Sequence, residues 1–207
     1  MAFDQDLFEG FQPDDPPILR FFYYEKPFLT LGRLEARRLD PSKLPYPYEV
    51  RPTGGRAVLH GPGDLCYSIV SSTSDPLVGG DLLVSYRKIS ELLAGALRSL
   101  GREVSLSTEK HKGTGAGHCF SSPSPAELAL DGRKVAGGAQ ARRGGVFLQQ
   151  GTILLSVAPG WKSLFQGAPD ASMAGLNDAT LPPIGRDALE RAIVKAFESA
   201  GVIFKKT

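Results

Sequence analysis

Cysteine is scarce in this chain of 207 residues, which contains only Cys66 and Cys119. A secreted protein of this size that relies on disulfides normally contains more cysteines, so both are predicted to be reduced thiols. We therefore expect a cytoplasmic protein. Neither cysteine belongs to a Cys-x-x-Cys motif, and the three histidines do not have the spacing of metal ligands. The sequence thus predicts no metal site.

Long hydrophobic runs and a strong charge of one sign are also missing. No apolar run approaches the roughly 18 residues of a membrane span, and the acidic first residues do not resemble a signal peptide. The 24 Lys and Arg residues nearly balance the 22 Asp and Glu residues, which argues against a dedicated nucleic-acid binder. We therefore expect neither a membrane nor a nucleic acid among its partners. The length fits one catalytic domain over residues 1–207.

Two common catalytic signatures are absent as well. The chain has no Gly-x-x-x-x-Gly-Lys-[Ser/Thr] phosphate loop and no Gly-x-Ser-x-Gly nucleophile elbow. Gly113-x-Gly115-x-Gly117 has the wrong spacing for a dinucleotide fingerprint.

Strand-like and helix-like segments occur in mixed order along the chain, with many hairpin signals. Apolar residues at helical spacing mark residues 81–100 as the clearest helix, and Asp131-Gly132 is a hairpin signal. Helices are also predicted at residues 2–9 and 187–200. Strands are predicted at residues 19–24, 28–31, 49–51, 56–60, 65–71, 104–106, 127–130, 134–142 and 146–155. This order predicts an α+β fold whose mixed sheet is mostly antiparallel and is flanked by helices.

The first glycine-rich segment of interest is Thr53-Gly54-Gly55-Arg56. Glycines let the backbone approach a ligand closely and adopt positive φ angles. Backbone N–H groups turned to one side would form a cradle for an anion or a carbonyl, and Arg51 and Arg56 would add positive charge. A plain hairpin turn is the alternative, which the residues alone slightly favour.

The second is Lys134, which precedes Val-Ala-Gly137-Gly138-Ala139. A lysine on a strand among small residues leaves room for a ligand, and its ammonium would polarise an acyl carbonyl or stabilise a thiolate. The alternative is an exposed lysine beside a turn.

Cys119 is the candidate nucleophile. A thiol becomes strongly nucleophilic when a nearby cation lowers its pKa. His118 is adjacent in sequence, but neighbours on an extended chain point to opposite faces, so Lys134 is the better candidate. The alternative for Cys119 is a buried, inert cysteine. Cys66 lies inside a predicted strand and is interpreted as structural.

Three stretches resemble one known superfamily, that of the lipoate–protein ligases, octanoyltransferases and biotin ligases. The first is Arg51-Pro-Thr-Gly-Gly-Arg-Ala-Val-Leu-His60 followed by Leu65-Cys-Tyr-Ser68. The second is Glu127-Leu-x-x-Asp-Gly-Arg-Lys-Val-Ala-Gly-Gly-Ala-Gln140, and the third is Val146-Phe-Leu-Gln-Gln-Gly-Thr-Ile-Leu-Leu155. They occur in the order and spacing of the family. The resemblance implies the catalytic-domain fold of the biotin and lipoate protein ligases.

Within the superfamily, His118-Cys-Phe-Ser-Ser-Pro123 resembles the cysteine-dependent octanoyltransferases of the LipM type. This implies that Cys119 takes octanoate from octanoyl-acyl carrier protein as a thioester. The acceptor would be the lysine of a lipoyl domain or of the glycine-cleavage H protein, with Lys134 as the second catalytic residue and no cofactor. The implied substrate-binding residues are Arg51, Thr53, Gly54, Gly55, Arg56, Ala57, His60, Gly137, Gly138, Ala139 and Gln140.

The chain departs from the family pattern at several positions. Gln150 stands where the family often has His, Gly138 stands where serine is usual, and both ends are shorter than usual. One alternative is an ATP-dependent lipoate–protein ligase, which would use ATP and Mg and form a lipoyl-adenylate. Another is a non-catalytic module that binds an acyl group or a lipoyl domain.

Overall fold

A computed structural model describes residues 1–107, 126–157, 173–178 and 181–205 of the chain. Its helices in these ranges are α1 (Ala2–Gly10), α2 (Leu82–Ser99) and α3 (Arg186–Ser199). Its strands there are β1 (Ile18–Phe22), β2 (Phe28–Leu31), β3 (Tyr48–Val50), β4 (Val58–His60), β5 (Leu65–Ser72), β6 (Val104–Leu106), β7 (Leu128–Leu130), β8 (Arg133–Arg143) and β9 (Val146–Ile153).

The strands form two sheets. The larger sheet has the order β1-β5-β9-β8-β7-β6, and its neighbouring strands are all antiparallel. The smaller sheet has the order β3-β2-β4, in which β2 is parallel to β3 and antiparallel to β4. The predicted α+β class with a mostly antiparallel mixed sheet is confirmed.

Helices α2 and α3 cover one face of the large sheet. The amphipathic face of α2 buries Ile89, Leu93 and Leu97 against strand residues such as Ile69 and Phe147. Each such buried side chain contributes about 1.5–3 kcal/mol. The carboxylate of Asp81 accepts a hydrogen bond from the Val84 N–H at 2.9 Å and caps the start of α2.

The opposite face of the large sheet carries α1 and the small sheet. Phe8 of α1 packs with Val70 and Leu148 of the large sheet. Leu29 and Leu59 of the small sheet pack with Leu154, next to the end of β9. The candidate site lies on this second face.

The Thr53–Gly55 segment is not the turn of a hairpin, so that alternative is wrong. The strands on either side of it, β3 and β4, do not pair with each other because β2 lies between them. The connection passes over the end of β2, where the Arg33 N–H donates to the carbonyl of Thr53 at 3.2 Å. A side chain at Gly32 would overlap the backbone of Gly55, and Gly55 itself has φ +87°. Both positions therefore favour glycine.

Seven of the nine predicted strands differ from the observed strands by one or two residues at one or both ends. Strands predicted at residues 49–51 and 56–60 are observed as Tyr48–Val50 and Val58–His60, and the strand predicted at residues 146–155 ends at Ile153. No helix formed by the described residues is long and apolar enough to cross a membrane.

Candidate active site

A cavity lies between the large sheet, α1 and the small sheet. Its empty space, counted together with the solvent at its open mouth, is about 410 Å³. The lining residues are Met1, Phe22, Thr30, Arg51, Val58, His60, Cys66, Gly137, Gly138, Ala139, Gln150, Gly151 and Thr152. Five of the predicted substrate-binding residues are therefore brought together here: Arg51, His60, Gly137, Gly138 and Ala139.

Lys134 lies behind the cavity wall, in a buried ion pair. Its Nζ is 2.6 Å from Oε1 of Glu127, and their side chains are only 2% and 4% exposed. A Cβ atom added to Gly137 would lie 2.8 Å from this Nζ, so glycine leaves space beside the ammonium. The alternative of an exposed lysine is wrong.

Glu127 is a site residue that the sequence interpretation missed. Removing an ammonium from water costs several kcal/mol unless a partner compensates its charge, and Glu127 supplies that charge. The signal was available, because Glu127 begins the motif that contains Lys134, and the hairpin of β7 and β8 brings the two together.

Arg51 organises the glycine-rich connection. Its guanidinium is buried and donates hydrogen bonds to the carbonyls of Gly54 at 3.2 Å and Arg56 at 2.8 Å. It also donates to the Thr30 hydroxyl at 2.7 Å and to the Thr30 carbonyl at 2.8 Å. Charged hydrogen bonds of this kind are stronger than neutral ones. Arg51 therefore fixes the shape of the connection as well as lining the cavity.

His60 is a buried, neutral imidazole. Burial and the nearby Arg51 charge lower its pKa from 6.5 to about 3. Its Nε2 is 2.7 Å from the Thr30 hydroxyl, which already accepts from Arg51. The hydroxyl can then donate its proton to Nε2, which leaves the His60 proton on Nδ1. That nitrogen lies 3.4 Å from both Cys66 Sγ and Thr152 Oγ1.

Cys66 lines the same cavity, which the sequence interpretation did not foresee. Burial raises the pKa of its thiol to about 12, although a hydrogen bond with Thr152 opposes the rise. The thiol is therefore protonated at neutral pH and is a poor nucleophile. Its inertness fits the predicted structural role, but its position at the cavity wall gives it a second role in shaping the cavity.

Gln150 links α1 to the glycine-rich connection. Its Nε2 donates to Oδ2 of Asp4 at 2.6 Å, and its Oε1 accepts from the Thr53 hydroxyl at 3.0 Å. Asp4 is fully buried and also accepts from Arg20 at 2.7 Å and from Ser68 at 2.9 Å. A neutral amide thus occupies the position where the family often has His, and it holds Thr53 through a hydrogen bond.

The remaining predicted substrate-binding residues do not line the cavity. Gln140 lies on the helix-facing side of β8, where its amide nitrogen donates to Gln149 at 2.8 Å and to Ser85 at 3.1 Å. Adjacent residues of a strand point to opposite faces, so Gln140 cannot share the face of Ala139. Thr53, Gly54, Gly55 and Arg56 form the connection beside the cavity, and Ala57 is buried in the core of the small sheet.

Cys119 and His118 lie outside the described residues. The juxtaposition of Cys119 and Lys134 therefore stays a prediction.

Comparison with known proteins identifies the family. The model of the lipoyl protein ligase A/B catalytic domain matches residues 1–198. This chain belongs to that family. The superfamily predicted from the three motifs is confirmed.

Curated proteins with similar sequences carry the name Octanoyltransferase LipM. A protein named Octanoyltransferase LipM from Carboxydothermus hydrogenoformans is 40% identical over 163 residues, covering 76% of this chain and 60% of that relative. The protein of the same name from Kyrpidia tusciae is 33% identical over 210 residues, covering 89% and 76%. The match to the C. hydrogenoformans protein therefore spans less than two thirds of that protein's length.

Solved structures of lipoate–protein ligases share the fold. The crystal structure of lipoate-protein ligase A bound with ATP has a TM-score of 0.80 at 24% identity, covering 100% of this chain and 81% of that chain. A bi-partite lipoate protein ligase from Thermoplasma acidophilum has a TM-score of 0.72 at 21% identity, covering 100% and 80%. The predicted catalytic-domain fold is confirmed.

Proposed function

We propose that this chain is an octanoyltransferase of lipoate biosynthesis. It takes octanoate from octanoyl-acyl carrier protein and transfers it to a lysine of a lipoyl domain, such as that of the glycine-cleavage H protein. The observation that carries the proposal is the buried Lys134–Glu127 pair beside Gly137, behind the wall of a largely apolar cavity. The similarity to proteins named Octanoyltransferase LipM supports the same activity.

The reaction proceeds in two displacements through Cys119. In the first, the Cys119 thiolate attacks the octanoyl carbonyl, the bond between the acyl carbon and the carrier sulfur breaks, and the carrier leaves as a thiol after taking up a proton. In the second, the neutral amine of the acceptor lysine attacks the Cys119 thioester. An amide forms, the proton of the amine is released, and the Cys119 thiol is restored. Thioester exchange is nearly isoenergetic, so the proposed reaction uses no ATP, metal or other cofactor.

The described residues supply two parts of this chemistry. The ammonium of Lys134 stabilises the negative charge that develops on the acyl oxygen in each displacement. Gly137, Gly138 and Ala139 leave room for the acyl chain beside it, and Val58 and Phe22 give the cavity apolar walls. Neutral His60 and protonated Cys66 add no charge that would oppose an apolar chain.

Intact-mass spectrometry after mixing with octanoyl-acyl carrier protein, without ATP, tests the proposal. We expect one octanoyl group on the wild-type chain, none on Cys119→Ser, and one on Cys66→Ser, which serves as the matched thiol control. Transfer of the octanoyl group from the acylated chain to an apo lipoyl domain would complete the reaction. The proposal is wrong if Cys119→Ser is still acylated, or if Cys119→Ser retains ATP-dependent attachment of lipoate, which would indicate a ligase.

A further inference from the structure

A second space adjoins the acyl cavity. This groove has an empty volume of about 760 Å³. It is lined by Gln5, Phe8, Glu9, Arg33, Pro52, Ala141, Arg142 and Arg143. None of these residues lines the acyl cavity.

Three parts of the chain contribute to both spaces. Ala139 of β8 lines the cavity, and Ala141 and Arg143, two and four residues further along the same face of that strand, line the groove. At about 3.3 Å per residue, Arg143 is about 13 Å from Ala139 along the strand. Arg51 lines the cavity and Pro52 the groove. The groove therefore extends the cavity along β8.

Helix α1 gives the same continuity. Met1, just before the helix, lines the cavity, whereas Gln5, Phe8 and Glu9 line the groove. Residues three or four apart share one face of a helix, so one side of α1 walls both spaces. A substrate whose acyl end fills the cavity has a direct path along the groove.

The side chains that face the groove are positively charged overall, with two arginines, Arg33 and Arg143, against the carboxylate of Glu9. Arg33 is exposed, and its side chain makes no hydrogen bond or ion pair with any residue of the described ranges. Arg143 is also exposed, donates to the carbonyl oxygen of Glu9 at 3.3 Å and lies over the Phe8 ring. Arg142 lies between Ala141 and Arg143 on β8, and its guanidinium turns to the helix-facing side, where the Gly80 carbonyl, Ser85 and Gln140 hold it. It therefore does not count toward the charge of the groove. The carboxylate of Glu9 accepts from Gln5 at 2.9 Å.

We propose that this groove binds the acyl donor, an acidic carrier protein that presents its thioester on a phosphate-bearing arm. The inference rests on the proposed octanoyl transfer. Guanidinium groups pair with phosphate through two parallel hydrogen bonds, and Arg33 and Arg143 supply two such groups at the exposed part of the groove. Their positive field also speeds the encounter with an acidic partner.

The test compares two octanoyl donors. One is octanoyl-acyl carrier protein, and the other is octanoyl-N-acetylcysteamine, a neutral thioester without phosphate or protein. For each chain we measure kcat/KM for acylation of Cys119 with both donors. The ratio used below is the kcat/KM with octanoyl-acyl carrier protein divided by the kcat/KM with octanoyl-N-acetylcysteamine. Steering by a charged cleft raises association rates by about 10- to 1,000-fold. We therefore expect Arg33→Gln combined with Arg143→Gln to lower the ratio by about tenfold or more.

Three further measurements test whether the charge of the groove causes the change in the ratio. The salt dependence of kcat/KM with the carrier should weaken in the double variant. Glu9→Gln should raise the ratio, since it removes the groove's carboxylate. Arg191→Gln, which removes an exposed arginine of α3 on the opposite side of the large sheet, should leave the ratio at the wild-type value.

Two results would overturn the proposal. An unchanged ratio in the double variant would show that the arginines do not select the carrier. An unchanged ratio with a raised KM for the lipoyl-domain acceptor would assign the groove to the acceptor instead. Failure of the underlying function looks different, because the wild-type chain would then form no adduct with either donor, and the groove proposal would fall with it.

Discussion

At the scale of single residues, the Lys134–Glu127 pair is the most consequential contact in the site. Two charges are removed from water, and each compensates the charge of the other. Such pairs are costly to break, because the charge that remains stays buried after the opposite charge beside it has been removed. The same compensation lets a cation stand beside an apolar cavity that must accept an acyl chain.

This pairing predicts a non-additive effect on stability. We expect Glu127→Gln and Lys134→Met each to lower the free energy of unfolding by about 3–5 kcal/mol, because each leaves a buried charge. The double variant should lose clearly less than the sum of the two. Urea unfolding of the four chains measures this coupling. Additive losses would contradict it.

A second prediction concerns His60 and acid. Below pH 6.5 the unfolded chain binds a proton at this imidazole, whereas the folded chain, with a pKa of about 3, does not. The His60 contribution to folding is therefore present above pH 6.5 and falls as the pH drops toward 3, by up to about 1.4 kcal/mol per pH unit.

Comparison of the wild-type chain with His60→Gln isolates that contribution. The difference between their free energies of unfolding should be largest near pH 8 and should shrink as the pH falls. Asp64, whose pKa burial raises from 3.8 to about 7, acts in the opposite direction but is present in both chains, so its contribution cancels. A difference that stays constant between pH 8 and pH 4.5 would count against a neutral, buried His60.

At the scale of elements, α1 is tied to three strands of the large sheet by one carboxylate. Asp4 receives hydrogen bonds from Arg20 of β1, Ser68 of β5 and Gln150 of β9, and Gln150 in turn holds Thr53. A helix of nine residues is too short to be stable on its own in water. Its attachment therefore depends on this network and on the packing of Phe8.

We expect Asp4→Asn to loosen α1 and the connection at Thr53. An asparagine has only one acceptor oxygen and would turn its amide toward another donor, which costs about 1–3 kcal/mol. Hydrogen exchange of the α1 amides should accelerate, together with a drop in the free energy of unfolding. Asp6→Asn, an exposed change on the same helix, is the matched control and should leave both unchanged. Equal exchange rates in the two variants would argue against the network.

Local patterns in the sequence predicted the individual elements well and their pairing less well. The helix at residues 81–100 and the strands at residues 28–31 and 65–71 followed directly from periodicity and turn residues. The hairpin at Thr53–Gly55 was wrong because β2, more than fifteen residues earlier in the sequence, lies between the two flanking strands. Contacts of that range leave no mark in a local pattern. Gln140 was misplaced for a simpler reason, since alternation along β8 puts it on the helix-facing side.

At the scale of the whole molecule, the two faces of the large sheet have different roles, since one forms most of the core and the other carries the candidate site. One face carries α2, α3 and the largest part of the hydrophobic core, and the other carries α1, the small sheet, the acyl cavity and the basic groove. The motifs predicted that both glycine-rich segments and Lys134 belong to one site. They did not reveal the roles of Asp4 and Cys66, because folding, not spacing, brings Asp4 to Gln150 and Cys66 to the cavity.

Because the acyl cavity lies against the large sheet, we predict that an acyl group bound in it stabilises the entire fold. An octanoyl chain in the cavity buries up to six more CH₂ groups than an acetyl group, each worth about 0.8 kcal/mol when fully buried. With partial burial, the free energy of unfolding of the octanoyl-loaded chain should still exceed that of the acetyl-loaded chain by about 2 kcal/mol. For a chain of this size, that difference corresponds to a Tm about 4–8 °C higher. Differential scanning calorimetry of the two acylated forms measures the shift.

Ala139→Leu provides the control, since it fills the cavity from the strand that lines it. In this variant the octanoyl and acetyl forms should unfold at nearly the same temperature, because the longer chain has nowhere to be buried. If wild-type octanoyl and acetyl forms already unfold together, the acyl chain lies outside the cavity. The site on this face of the sheet would then hold only the reacting carbonyl.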